Sequence, residues 1–310
     1  MKTLGIAEAV REEALQRASR FPVRSNWASQ IGDPCERFLV YMRTSWQERP
    51  APDARLQMIF DMGKDSEIIV RKRLQAAGFE VIRDQEYVDL PAHQISGKID
   101  GMIRDEFSGK NMPVEIKSAS GYNFDKLAGA DNLIEMMLGG ARYMQRYPAQ
   151  LLLYMYSKSN GQEWKNGVWV FFNKITGEIA DRVVELEPWT DYCESLLKKA
   201  DRINEHVKLG TLPERVNDWE LCSGCDFEAI CNPPKTESER VAIAESEMGD
   251  LLNERRDLKA EIKPTEGKIK KLDTRIKAIM AELPGQVEIV IADGWICKKG
   301  KTRWIYGEVE

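Results

Sequence analysis

The chain has 310 residues, 43% of them apolar, a net charge of −5 and ordinary glycine and proline content. These figures describe a globular protein with room for one large domain plus an appendage, and they exclude a disordered chain. The negative balance excludes a polycation that coats nucleic acid indiscriminately, although a local groove can still carry the opposite sign. The most apolar stretch, 149–156, is far too short to span a bilayer, and the N-terminus MKTLGIAEAVREEALQR carries charges where a secretory signal needs an apolar run. An intracellular protein with no membrane partner is therefore expected.

In chain order, residues 3–20 read as an amphipathic helix, and a second helix is expected around Cys35 in DPCERFLVYMRTSW. A third covers 56–77, with Leu56, Ile59, Phe60, Ile68, Ile69 and Leu74 as its apolar positions and Gly78 as its stop. The period then changes. Phe79–Val88, Ile95–Ile103 and Pro113–Ser118 read as three strands separated by loops rich in Asp, Gly and Asn. A glycine-interrupted helical stretch follows, then a helix over Pro148–Lys158 opened by a favourable proline. Val168–Asn173 and Glu178–Leu186 read as a β-hairpin, and a helix over 189–208 leads into a group of cysteines.

From about Glu237 the composition shifts. Val241, Ala244, Met248, Leu251, Leu258, Ile262, Ile269, Leu272, Ile276, Ile279 and Leu283 recur at spacings of three and four in a charged background, a heptad-like seam. Pro264 interrupts it, so either a kink or a helical hairpin is expected there. The last 25 residues read as short strands with turns at Asp293-Gly294 and Lys299-Gly300. Lys298, Lys299, Lys301 and Arg303 alternate there with Trp295, Trp304 and Tyr306, a pattern suited to phosphates and unpaired bases or, more simply, to a small sheet with one packed face. These shifts divide the chain into 1–235 and 236–310.

The chemistry concentrates in Val114-Glu115-Ile116-Lys117. On a strand, Glu115 and Lys117 share one face while Ile116 turns to the core. Earlier in the chain, Gly97-Lys98-Ile99-Asp100-Gly101 sets an aspartate before a glycine, and pairing of the two strands would bring Asp100 to the same edge. Two carboxylates converging with a lysine suit phosphodiester hydrolysis. Carboxylates hold a hard divalent cation that polarises the phosphate and acidifies a water, and a lysine positions that water or neutralises developing charge. Taken alone, an E-x-K triplet is more often a surface ion pair. Glu67 in Gly63-Lys64-Asp65-Ser66-Glu67 adds a carboxylate ahead of the pair, and Gln150 and Tyr154 lie one helical turn apart downstream.

The order Gly63-x3-Glu67, Gly97-x2-Asp100, Glu115-x-Lys117, Gln150-x3-Tyr154 resembles the RecB-like exonuclease branch of the PD-(D/E)XK nuclease superfamily over roughly residues 20–235. The resemblance implies an α/β, restriction-endonuclease-like core, a mixed central sheet flanked by helices, with a helical C-terminal appendage. It implies Mg2+ or Mn2+ held by Glu67, Asp100, Glu115 and the Ile116 carbonyl, with Lys117 assisting the attacking water. Gln150 and Tyr154 would help to place DNA. Many RecB-like members carry histidine where this chain has Glu67; glutamate there is similar to lambda-type exonucleases, and the only histidines are His93 and His206.

Cys222-x2-Cys225-x5-Cys231 follows this region and Cys35 precedes it. In an intracellular protein such spacing points to metal or redox chemistry rather than to disulfides, and four thiolates suit iron–sulfur or zinc. One upstream cysteine with C-x2-C-x5-C downstream resembles the iron–sulfur nucleases of the AddB and CRISPR-adaptation groups, which implies a 4Fe–4S cluster stapling the domain ends, with Zn2+ as the alternative. Cys193 and Cys297 lack spacing partners and read as packed residues. The helical arm with a terminal β-element is loosely similar to phage YqaJ-type exonucleases and would pair with another copy, with a partner protein, or with the chain's own core. The reading is a metal-dependent DNA exonuclease acting on single strands or duplex ends, phage- or mobile-element-encoded or of the CRISPR-adaptation kind, with 119–147 as a segment gating strand entry. The competing class is a DNA-binding or assembly protein on a degenerate nuclease fold.

Overall fold

The computed structural model describes residues 4–83, 86–104, 109, 111–158, 163–216, 218–232, 247–281, 289–292, 295–299 and 304–308. The chain divides into two units, residues 1–234 and 235–310. The first runs α1 (Ile6–Arg17), β1 (Asn26–Trp27), α2 (Glu36–Thr44), α3 (Ala54–Ala76), β2 (Val81–Arg83), β3 (Tyr87–Leu90), β4 (Ile95–Lys98), β5 (Gly101–Arg104) and β6 (Asn111–Ala119). It continues with α4 (Gly121–Ala128), α5 (Leu133–Leu138), α6 (Arg142–Ser157), β7 (Asn166–Asn173), β8 (Ile179–Glu185), α7 (Thr190–Leu209), α8 (Trp219–Cys222) and α9 (Glu228–Cys231).

A five-stranded mixed sheet in the order β2-β5-β6-β7-β8 carries this unit, with β6 and β7 parallel and the other pairs antiparallel. Parallel neighbours need a crossover, supplied here by α4, α5 and α6. Strand β7 is buried from Gly167 through Asn173, as a central strand covered on both faces should be. Its side chains alternate: Trp169 and Phe171 enter the larger core with Leu151 and Leu152 of α6, whereas Val168, Val170 and Phe172 join Val70 of α3 in the smaller one. In β6 the same period sends Val114 and Ile116 toward α3, leaving Glu115 and Lys117 on the α6 side.

Four expectations need correction. Ile95–Ile103 is not one strand: β4 belongs to a small sheet, β1-β4-β3, and β5 to the large one, with Ile99 and Asp100 between them. Gly97 in β4 lets Tyr154 pack close, because a Cβ there would stand 2.6 Å from Tyr154 Cε1. The expected strand Phe79–Val88 is likewise two, β2 and β3, with 84–85 outside the described residues.

Helix α6 begins at Arg142, with Pro148 inside it. Proline removes one helical hydrogen bond, but Arg142 and Arg146 are both held by Asp33, which anchors the turns before it. Helix α3 buries only Ser66 and Val70, with Leu74 partly covered; Leu56, Ile59, Phe60, Ile68 and Ile69 are exposed. The narrow stripe facing the sheet sets its burial, while its N-terminal half meets α1 through Arg17 Nη1–Asp61 Oδ2 at 2.8 Å.

In the second unit, α10 (Glu247–Ala281) runs unbroken through Pro264, neither stopping nor folding back. Leu258, Ile262, Ile269 and Leu272 along it are 51–56% exposed. Val241, Ala244 and Leu283 lie outside the described residues. Strands β9 (Ile289–Ala292), β10 (Trp295–Lys299) and β11 (Trp304–Glu308) form an antiparallel sheet, and the turn residues Asp293, Gly294 and Gly300, with Lys301 and Arg303, again lie outside. Among the described residues no helix is long and apolar enough to cross a membrane.

Candidate active site

Asp100 lies where the chain leaves the small sheet for the large one. Its Oδ2 accepts the Ile116 backbone N–H at 2.8 Å, which ties it to β6 between Glu115 and Lys117. Arg71 of α3 donates to the Asp100 carbonyl at 3.0 Å and stands 3.8 Å from Glu67 Oε2, one helical turn back. Glu115 is 1% exposed. Its Oε1 accepts Lys117 Nζ at 2.6 Å, and Lys117 also donates to Gln150 Oε1 at 2.9 Å while lying 4.8 Å above the Tyr147 ring. Glu115 Oε2 is buried without a hydrogen-bond partner.

Burial pushes the Glu115 carboxyl up to about 8, helped by the Asp100 charge and opposed by Lys117. Glu67 rises to about 7, again through burial and then Asp100. Asp100 is raised by burial against the pull of Lys117. Burial alone would lower the Lys117 ammonium, but Glu115 and Asp100 outweigh it and hold the group charged. One lysine thus faces more carboxylate charge than it can neutralise, so near neutral pH the site retains protons or takes up a cation.

The sign of the resulting pH effect is definite. At acid pH, folded and unfolded chains both protonate these groups. Above the ordinary glutamate value of 4.5 the unfolded chain releases protons that Glu67 and Glu115 keep, so stability declines up to about pH 8. The melting temperature of metal-free protein should therefore fall between about pH 5 and about pH 8, and Glu115→Gln should flatten the fall. Thermal melts of both proteins without divalent ions check this; parallel profiles would contradict the burial argument.

Gln150 and Tyr154 project from α6 as expected of residues one turn apart, but they are inside. The Tyr154 hydroxyl accepts from Gln150 Nε2 at 3.1 Å, donates to the Lys98 carbonyl at 3.0 Å and accepts the Lys98 N–H at 3.2 Å. At 1% exposure Tyr154 offers no surface to a substrate strand. It fastens β4, and through Gln150 it reaches Lys117. Tyr147 and Arg71 had no signal beyond their helical spacing from Gln150 and Glu67. The histidines are engaged elsewhere, His93 with Asp201 and His206 with Thr211.

A divalent cation can be tested against these donors. Among the described residues, no three Asp, Glu, His or Cys side chains stand close enough to share one ion. Asp100 and Glu115 nevertheless supply a buried pair with an unpartnered oxygen. Mg2+ is usually bound by one or two carboxylates, with waters and substrate phosphates completing the shell, so the pair fits it.

Cys35, Cys222, Cys225 and Cys231 line one cavity of about 250 Å3, all four with free thiols and half-buried. Cys35 caps α2, its Sγ accepting the Phe38 N–H at 3.4 Å, and burial raises its thiol. The three downstream cysteines sit on the turn around α8 and α9, where Phe227 packs between Phe38 and Tyr41 at 5.6 and 5.4 Å. Arg142 donates to the Leu221 carbonyl at 2.8 Å, and Arg37 to that of Pro213 at 2.8 Å. Asp33, fully buried, accepts Arg142 Nε at 2.8 Å, Arg146 Nε at 2.9 Å and the Cys35 N–H at 3.0 Å, and its carbonyl accepts Lys199. Sequence reasoning missed this hub, which joins residues remote in the chain. Cys193 is buried in the core; the side chain of Cys297, on β10, lies outside the described residues.

Fold and site together define a mixed α/β protein with an acidic, lysine-bearing centre on its main sheet and a separate four-thiol cavity. No protein-family model matches the chain, and no curated protein matches its sequence. Among solved structures, that of SSO0001 is similar over 74% of this chain and 98% of its own, at 16% identity and a TM-score of 0.41. An alkaline exonuclease, LHK-Exo from Laribacter hongkongensis, is similar over 65% of this chain and 95% of its own, at 14% identity and a TM-score of 0.39. LHK-Exo in complex with dAMP gives 0.42 at the same identity and coverage. Likenesses of this degree carry no argument about activity.

Proposed function

We propose that residues 1–234 form a divalent-metal-dependent deoxyribonuclease, an exonuclease working on single strands or duplex ends. The observation that carries this reading is the buried pair Asp100 and Glu115, with one unpartnered oxygen, beside an ammonium held by Glu115 and Gln150. Mg2+ or Mn2+ bound there would polarise a phosphate and acidify water. Asp100 and Glu115 hold the ion, with the Ile116 carbonyl a further donor and Glu67 completing the acidic edge from α3. Lys117 positions the attacking water and offsets charge that develops on the phosphate. Gln150 and Tyr154 act one step back, by holding Lys117 and β4. Release of nucleotides from end-labelled DNA with Mn2+, stopped by EDTA, tests the reading; DNA binding without release would favour an assembly protein instead.

Glu67 is tested separately. Glu67→Gln should raise the Mn2+ concentration needed for half activity by about tenfold, the loss usual for a group that supports a metal site from beside its ligands. Glu67→His should keep part of the activity, because imidazole also coordinates Mn2+. An unchanged Mn2+ titration for Glu67→Ala would remove the residue from the site.

For the four cysteines we propose a 4Fe–4S cluster. All four thiols line one cavity. A cluster that gives each cysteine its own iron suits four such ligands, with Zn2+ as the alternative.

A further inference from the structure

Lys117 also borders a second feature. At the carboxyl ends of the parallel strands β6 and β7 lies a cavity of about 280 Å3, lined by Lys117, Asn123, Tyr143, Tyr147, Lys174 and Ile59 among others. Tyr143 and Tyr147 meet edge-to-face with centroids 6.0 Å apart, and Asn123 Nδ2 donates to the Tyr143 hydroxyl at 3.1 Å. Tyr143 remains 43% exposed, so part of its ring is open to a ligand. The two lysines stand at separate points of the wall, Lys117 above the Tyr147 ring and Lys174 on the turn between β7 and β8. That turn is fixed: the Lys174 N–H donates to the Ala119 carbonyl at 3.0 Å, and Asn173 Oδ1 accepts the Ile175 N–H at 2.9 Å.

Aromatic and aliphatic walls with an exposed lysine, Lys174, match a flat ring joined to a phosphate. A cavity of about 280 Å3 is on the scale of a small-molecule site, enough for one base and too small to enclose a duplex. We propose that this cavity receives the base of one unpaired nucleotide. Tyr143 stacks on the base, and Lys174 takes a phosphate beside it. Resting on the nuclease reading, the proposal narrows the substrate to a strand whose end is single or frayed, since a paired base would first have to leave its stack.

The test measures binding apart from cleavage, using the full chain in EDTA. The probes are a short oligothymidylate carrying 2-aminopurine near one end and a blunt duplex of the same length. Wild-type protein should quench the 2-aminopurine and bind the single strand more tightly than the duplex. Tyr143→Ala should weaken single-strand binding about tenfold and abolish the quench, whereas Tyr143→Phe should keep both. Lys174→Ala should weaken single-strand binding and reduce its salt dependence. Melting temperatures near wild type confirm that both variants fold. Single-strand affinity unchanged in Tyr143→Ala and Lys174→Ala, equal losses on single strand and duplex, or a wild type that prefers the blunt duplex would each overturn the proposal. Cleavage is assayed separately with Mn2+: a protein that stacks the base but releases no nucleotide would retain the pocket and lose the nuclease reading.

Discussion

Lys117→Ala should lower DNA hydrolysis by on the order of a thousandfold, the cost of removing one preorganised donor from a centre where charge develops. The effect has two sources. The variant loses the ammonium 2.6 Å from Glu115 Oε1, and it leaves Glu115 buried with nothing to offset its charge. Glu115 then holds its proton more firmly, so the variant should also need a higher pH to bind Mn2+. Asp100→Asn makes a sharper companion than alanine. An amide oxygen can still accept the Ile116 N–H, which keeps β6 in place while the charge goes. Both purified variants should melt cooperatively and release almost no labelled nucleotide. Near-normal specific activity in either would remove the proposed catalytic role.

Cys35→Ala should produce the largest change in stability. Binding free energy of a metal centre that joins distant segments is folding free energy, so losing one ligand destabilises everything the centre holds together. Protein purified without oxygen should be brown, and Cys35→Ala should lose its colour together with on the order of 10 °C of melting temperature, the shift that about 4 kcal/mol produces in a domain of this size. Cys193→Ala should keep the colour, since Cys193 is packed in the core away from the cavity. Colourless protein with one zinc per chain would replace the cluster by an ion. A full metal content in Cys35→Ala would detach Cys35 from the site altogether.

How much of this could be read in advance depended on whether a rule is local. The shared face of Glu115 and Lys117 follows from the two-residue period of a strand, and that of Gln150 and Tyr154 from the helical turn; neither needs a tertiary contact. The nearness of Asp100 to β6 is legible only if the strands pair, and the chain achieves it by an unexpected route, changing sheets at Ile99 and Asp100. No periodicity announces such a switch. The close packing of Tyr154 on Gly97, where a Cβ would lie 2.6 Å from the ring, is likewise invisible in the sequence. Helix α3 misled for the opposite reason. Its apolar residues are abundant, yet the sheet covers only the line of Ser66 and Val70, so composition overstated the burial. The hub at Asp33 lay beyond sequence altogether, because its partners come from α6 and α7, more than a hundred residues away.

That hub sets the two sites on one helix. Arg142 and Arg146 grip Asp33 from the first turns of α6, and the later turns of the same helix carry Gln150, which holds Lys117. Helix and loop meet so closely that a Cβ on Gly32 would lie 2.8 Å from that of Ala149. A path of direct contacts thus runs from the loop beside Cys35 to the helix that holds Lys117. Linkage is reciprocal: if filling the cysteine site tightens Mn2+ binding at Asp100 and Glu115 by some factor, Mn2+ must tighten retention of the cysteine-bound metal by the same factor. On the proposed reading, loss of the one would then be felt as weakened affinity at the other.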